Sequence, residues 1–268
     1  MKVLVLGAGN MGLTYAEGMA ASPYLNKRKL MLFDVSAEKR LKLQEMDQFA
    51  VYDDIEECVP VADMIFIAVK PYHAEELFGN IKDLVRDEQV VISLMAGVTI
   101  KTIQDGLGVS KVVRTMPNLP AKVGKGVTSY TESEDVSRVE LIMVRNLLDT
   151  TGESIHVEDE NYIDKSTGIS GSGPAYIFYF MQSMMEAALK MGFSSNDSRV
   201  LVSQTFEGAV KLFNESDLSP QTWMDRVASK GGTTQAALDS MEDNNVKELI
   251  KEAAYAAFNR ATELGEES

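Results

Sequence analysis

The sequence predicts an α/β fold in which a doubly wound parallel sheet is followed by an all-helical region. Three observations carry this. Continuous apolar runs of strand length alternate with helix-like segments through the first half. A glycine-rich turn joins the first such run to the first helix. After about Glu158 the apolar residues recur at helical spacing instead. Strands apolar on both faces and separated by helices are the mark of a parallel sheet covered on both sides.

In chain order, Lys2–Leu6 reads as a buried strand, residues 11–21 as a helix, Leu30–Phe33 as a second strand, and residues 36–47 as a charged helix. Residues 64–69, 90–95 and 111–116 read as further buried strands, and 126–131 and 154–157 as later strands closing this region. Beyond it, Tyr176, Ile177, Phe180, Met181, Met184, Met185, Ala188 and Leu189 share one helical face. Pro174 suits the first turn of that helix and Gly192 its stop. Residues 198–214 and 246–264 read as two more helices, and the acidic tail 263–268 as frayed. The boundary falls at 158/159: residues 1–158 form the sheet domain and 159–268 the helical one. A helical region this small and this rich in Met, Ala and Phe buries little of its apolar surface alone, which predicts a homodimer formed through it.

The chain has 268 residues, 45% hydrophobic and 25% charged, as expected for a globular protein. No apolar run approaches the ~20 residues of a membrane helix. The apolar start is too short for a signal peptide and breaks into glycines, so a cytoplasmic protein is expected. With Cys58 as the single cysteine and His73 and His156 as the two histidines, no disulfide and no metal site are expected. A net charge of −14 disfavours nucleic acid and anionic membranes as partners.

Gly7-Ala8-Gly9-Asn10-Met11-Gly12 is G-x-G-x-x-G between a strand and a helix, the Rossmann-type arrangement in which backbone N–H groups approach a pyrophosphate closely. Asp34 ends the second strand about 20 residues on, where a carboxylate accepts the ribose hydroxyls and repels a 2′-phosphate. NADH or NADPH is therefore the expected cofactor, with NADH used better. Lys39 and Arg40 read as a solvated helix face. Ala68-Val69-Lys70-Pro71 ends another strand at the carboxyl edge, where ligands bind in such sheets. Farther on, Ser229 and Gly231-Gly232-Thr233-Thr234 precede a helix-like segment, residues 235–241. They suit an anion nest or simple N-capping equally.

Taken together, residues 7–12, Ala68-Val69-Lys70-Pro71, Arg114-Thr115-Met116-Pro117-Asn118-Leu119-Pro120-Ala121, Ser170-Gly171-Ser172-Gly173-Pro174-Ala175-Tyr176 and Gly231-Gly232-Thr233-Thr234 resemble the pyrroline-5-carboxylate reductase family in order and spacing. The resemblance implies an N-terminal Rossmann domain, a C-terminal helical dimerisation domain, and dimers that often assemble into decamers. It implies NAD(P)H-dependent reduction of L-1-pyrroline-5-carboxylate to L-proline. By the family match Thr234 is the catalytic candidate, contacting the ring nitrogen or orienting its proton. Ser229, Gly231, Gly232 and Thr233 hold the carboxylate, and Glu160 lies near the substrate amine. Three positions depart from the family's usual pattern: Lys230 replaces a proline, Asp164-Lys165-Ser166-Thr167 is more polar, and Asp34 replaces asparagine or serine. A β-hydroxyacid dehydrogenase using Lys165, or a nucleotide-sensing homologue without turnover, are the alternative readings.

Overall fold

In the computed structural model, which describes residues 1–26 and 29–266, strands β1 (Val3–Leu6), β2 (Leu30–Phe33), β3 (Ala50–Val51), β4 (Met64–Ile67), β5 (Val90–Ser93), β6 (Val112–Met116), β7 (Gly126–Glu132) and β8 (Gly152–His156) form one sheet. Their order is β3-β2-β1-β4-β5-β6-β7-β8. The first six strands are parallel. The expectation of a parallel sheet fails at its far edge: β7 runs antiparallel to β6, and β8 parallel to β7. The physical reason is the short link between β6 and β7, which cannot make the crossover that a parallel neighbour requires.

The continuous apolar runs are explained by two cores, one on each face. Val3, Val5, Leu30, Leu32, Phe66 and Ile92 point into one. Leu4, Leu6, Met31, Ile65, Ile67 and Val91 point into the other. β1, β2, β4 and β5 therefore bury both their odd and their even side chains, which a half-exposed strand does not. Cys58 lies in the second core, where burial pushes its thiol up to about 11.

Helices α1 (Asn10–Ala21), α2 (Ala37–Gln44), α3 (Ile55–Cys58), α4 (Ala74–Ile81), α5 (Ile100–Leu107), α6 (Arg138–Leu148) and α7 (Asn161–Ser166) belong with the sheet. Short polar side chains start most of them: Ser36, Asp54, Thr99 and Ser137 each accept a backbone N–H of the helix they precede. Gly108, at φ 70°, closes α5 in the left-handed conformation. The helix expected over 36–47 ends at Gln44, where the Met46 N–H turns back to the Leu43 carbonyl at 3.0 Å.

A second compact unit, Gly173–Tyr255, is all-helical. It holds α8 (Gly173–Lys190), α9 (Ser195–Asn214), α10 (Pro220–Val227), α11 (Thr233–Asp243) and the start of α12 (Val246–Glu266). The compact units do not divide at residue 158. Residues up to Ser172 and from Ala256 onward pack with the sheet unit. The first of these segments is tied to β6 by Arg114, and Leu264 lies beside Gly97. The tail does not fray at Glu263, since α12 runs through Glu266; Glu267 and Ser268 lie outside the described residues.

Candidate active site and cofactor cleft

A cleft of about 470 Å³ opens at the carboxyl ends of β1, β2, β4 and β5. The glycine turn forms its floor. Gly7 has φ +95°, a conformation that L side chains rarely adopt, and its N–H donates to the Phe33 carbonyl at 2.9 Å. A Cβ on Gly12 would run into the Gly7 carbonyl oxygen and come 2.9 Å from the Ala68 methyl group, so α1 packs against the turn only with glycine there. A Cβ on Gly9 would meet nothing within 4 Å. That open side leaves the backbone there approachable. Gly9 caps α1 without any side-chain hydrogen bond, which leaves the first N–H groups of the helix to a ligand. The turn thus fits a dinucleotide: close-packed behind, bare in front.

Of the cofactor residues expected from sequence, Gly7, Gly9, Asn10, Met11, Asp34, Ala68, Val69, Lys70 and Pro71 all line this cleft, and Gly12 is buried behind it. Asp34 is 5% exposed and turned inward. Its Oδ2 accepts the Ala8 N–H at 2.8 Å and its Oδ1 the Ser36 N–H at 2.9 Å, so the carboxylate latches the glycine turn to the start of α2. Lys39 is exposed, as expected of a solvated face, but it also pairs with Asp34; Arg40, largely covered, is not the solvated residue expected. The Lys39 ammonium sits 3.3 Å from Asp34 Oδ2 and lines the cleft. Arg40 is pinned: its Nη1 donates to the Asp34 carbonyl at 2.8 Å, its Nε to Asp53 at 3.2 Å, and its guanidinium lies over the Phe33 ring.

Leu94, Met95 and Ala96 at the end of β5, with Tyr72 and His73 after Pro71, complete the lining. Sequence reasoning missed them as site residues, although the strand-end rule that selected Ala68–Pro71 applies equally to the strand ending near Met95. Tyr15, under α1, is fully buried, and its hydroxyl shares a 2.6 Å hydrogen bond with Thr128. Burial pushes its phenol up to about 12, and the hydrogen bond ties α1 to β7.

The Arg114-Thr115-Met116-Pro117-Asn118 run holds the segment after β8. Arg114, 2% exposed, donates through Nη1 to Glu160 Oε1 at 2.8 Å and through Nη2 to Asp164 Oδ1 at 2.5 Å. Glu160 also accepts the Ile100 N–H at 2.8 Å at the start of α5. Asn118 Nδ2 donates to the Ser170 carbonyl at 3.1 Å, and its Oδ1 accepts the Val127 N–H at 3.0 Å. A Cβ on Gly171 would come 2.6 Å from the Met116 methyl group, the end of a flexible side chain that can move aside. Lys165 is exposed, with its ammonium 3.8 Å from the centre of the Tyr162 ring.

In the helical unit, Ser229, Gly231, Gly232, Thr233 and Thr234 lie together in one turn. The Gly232 N–H donates to the Ser229 carbonyl at 2.8 Å, and Gly231 turns with φ +71°. Thr233 and Thr234 are the first two residues of α11, and no side chain caps that helix. N-capping by threonine therefore does not account for them, and the first N–H groups of α11 are open to an anion.

The sequence pattern described as pyrroline-5-carboxylate reductase dimerisation matches residues 160–264. The pattern described as NADP oxidoreductase, coenzyme F420-dependent, matches residues 2–97. The chain is 32% identical to pyrroline-5-carboxylate reductase 2 of Bacillus subtilis, over 99% of this chain and 96% of that one. This chain belongs to the pyrroline-5-carboxylate reductase family. Two solved pyrroline-5-carboxylate reductases extend the likeness to three dimensions. The Coxiella burnetii protein has a TM-score of 0.91 at 33% identity and covers 98% of both chains. The Plasmodium falciparum protein, solved with NADP bound, has a TM-score of 0.88 at 30% identity and covers 99% of this chain and 98% of its own. Family membership makes the chain an NAD(P)H-dependent oxidoreductase.

Proposed function

We propose that this protein reduces L-1-pyrroline-5-carboxylate to L-proline with NADH or NADPH, as a cytoplasmic homodimer able to build larger assemblies. The observation that carries the reading is a glycine cradle bare on one side and close-packed on the other, in a chain that matches pyrroline-5-carboxylate reductases from end to end. When bound, the nicotinamide supplies the hydride for the ring C=N carbon. Gly7, Gly9, Asn10 and Met11 would hold the pyrophosphate, with Gly12 letting α1 pack against the turn behind them, and Ala68-Val69-Lys70-Pro71 would flank the cofactor at the end of β4.

The substrate carboxylate is taken up by the open N–H groups of α11 and by Ser229 and Thr233, with Gly231 and Gly232 letting the backbone come close. The exposed Lys230 adds a cation to that turn. Thr234 keeps the ring nitrogen's proton oriented. If the iminium form reacts, nitrogen is already protonated, hydride addition to carbon gives the amine directly, and no strong general acid is required. Catalysis is then mainly positioning, which suits a chain with two histidines. Glu160 Oε1 accepts from Arg114 and from the Ile100 N–H, which fixes the start of α7, and its part-exposed carboxylate is the group we place near the substrate amine. We place a functional boundary at 158/159, with the dinucleotide-binding residues before it and the substrate turn after it.

The test is NADH and NADPH oxidation by the purified protein with L-1-pyrroline-5-carboxylate, for the natural chain and for Thr234→Ala. The expected result is turnover in the first and a loss of kcat of roughly a hundredfold in the second, the size typical of one positioned proton-handling group. Absence of turnover by the natural chain with either cofactor would end the reading. Full activity in Thr234→Ala would remove that residue's role.

A further inference from the structure

An acidic residue at the end of the second strand ordinarily favours NADH, because it accepts the ribose hydroxyls and repels a 2′-phosphate. Asp34 has that position but not that freedom. A carboxylate offers about four acceptor sites. The Ala8 N–H, the Ser36 N–H and the Lys39 ammonium already approach three of them, and the side chain is almost wholly buried. What Asp34 shows to the cleft is therefore a carboxylate engaged by the loop and paired with a cation, with one acceptor position left over.

The two neighbouring cations are not alike. Arg40 is fixed by the Asp34 and Val35 carbonyls, by Asp53 and by the Phe33 ring. Lys39 lies on the first turn of α2 with its side chain 52% exposed. It lines the cleft, and Asp34 is its single side-chain partner among the described residues. At 3.3 Å and in contact with water, that pair is weak and easily exchanged. A phosphate carrying close to two charges competes well for such an ammonium.

We propose that Lys39 sets cofactor specificity in this protein. It stays on Asp34 when NADH is bound and moves to the 2′-phosphate when NADPH is bound, so the site accepts both cofactors despite the acidic residue. The inference rests on the cofactor reading above. It is tested by calorimetric titration of the ligand-free protein with 2′,5′-ADP and with 5′-ADP, the adenosine ends with and without the 2′-phosphate. The natural chain is expected to bind both. In Lys39→Ala, affinity for 2′,5′-ADP is expected to fall relative to 5′-ADP by roughly ten- to a hundredfold, the worth of one charge-assisted hydrogen bond. Lys39→Arg is expected to restore most of it. The ratio of kcat/KM for NADPH over NADH should follow the same order. An unchanged nucleotide ratio in Lys39→Ala, or a natural chain that binds 5′-ADP and refuses 2′,5′-ADP, would overturn the inference while leaving the cofactor site intact. Failure of both nucleotides to bind would remove the cofactor reading and the inference with it.

Discussion

At the scale of single residues, the glycine turn separates two demands that the motif alone runs together. Gly12 is needed because its neighbours are the Gly7 carbonyl oxygen and the Ala68 side chain, and backbone cannot swing aside as a long side chain can. Gly9 is needed for the opposite reason, since the space beside it is empty. Gly12→Ala should cost about 1–3 kcal/mol of stability, the usual toll of overpacking, and also weaken nucleotide binding. Gly9→Ala should leave the thermal midpoint near that of the natural chain and lose nucleotide binding alone. Thermal unfolding paired with nucleotide titration separates the two, and a Gly9→Ala protein that binds normally would show that no ligand approaches there. Spacing made both glycines and Asp34 legible in the sequence. The inward turn of Asp34 was not legible, because its partners are backbone N–H groups of Ala8 and Ser36 that carry no sequence signal. Lys39, five residues on from Asp34, read as surface and is exposed, but its pairing with Asp34 left no mark in the pattern.

At the scale of elements, the strands were the readable part. Parallel strands buried on both faces are apolar along their length, and β1, β2 and β4 are so at every position, β5 at all but Ser93. The reversal at β7 was hidden because direction is set by the connection and leaves no trace in the strand's own pattern. Short helices were hidden as well: α4 and α5 have eight residues each, about two turns, too few to establish a period. α6 announces itself by chemistry instead. Ser137 accepts the Glu140 N–H, Glu140 reaches back to the Ser137 N–H at 2.8 Å, and Lys111 Nζ lies 2.7 Å from the same carboxylate. Burial pushes the Glu140 carboxyl up, but the hydrogen bonds from Lys111 and Ser137 outweigh it and hold the group below the ordinary carboxylate range. A depressed carboxyl stabilises the fold above its unfolded pKa, and that contribution is lost as pH falls through the folded value. Glu140→Gln should therefore cost about 0.5–1 kcal/mol near neutral pH. The difference from the natural chain should close in acid. Urea unfolding across pH 3–7 measures it, and a difference that persists at the acid end would assign the loss to packing rather than charge.

At the scale of the whole molecule, the sequence announced two regions but not where compactness divides them, because Arg114 recruits the 160–164 segment to the sheet unit by side-chain pairing rather than by pattern. The sheet unit has two cores of its own. The helical unit does not compare: α8, α10 and α11 bury no residue, while Ile177, Phe178, Tyr179, Val210, Leu212 and Phe213 stand exposed. Surface of that kind, on the segment matching the reductase dimerisation pattern, is what a second copy of the chain covers. Obligate interfaces of this sort bury roughly 2,000 Å² or more, and at about 25 cal/mol per Å² of apolar area the helices gain from the partner what they lack within one chain. Light scattering should give at least twice the 29.5 kDa chain mass, and the thermal midpoint should rise with protein concentration, as mass action requires of a dimer whose folding and association are one process. Phe178→Asp, which sets a charge among those exposed apolar side chains, should lower the midpoint and abolish its concentration dependence, or leave the chain insoluble. A natural chain of 29.5 kDa at micromolar concentration, with a midpoint indifferent to dilution, would mean that the helical face is covered by something other than a copy of itself.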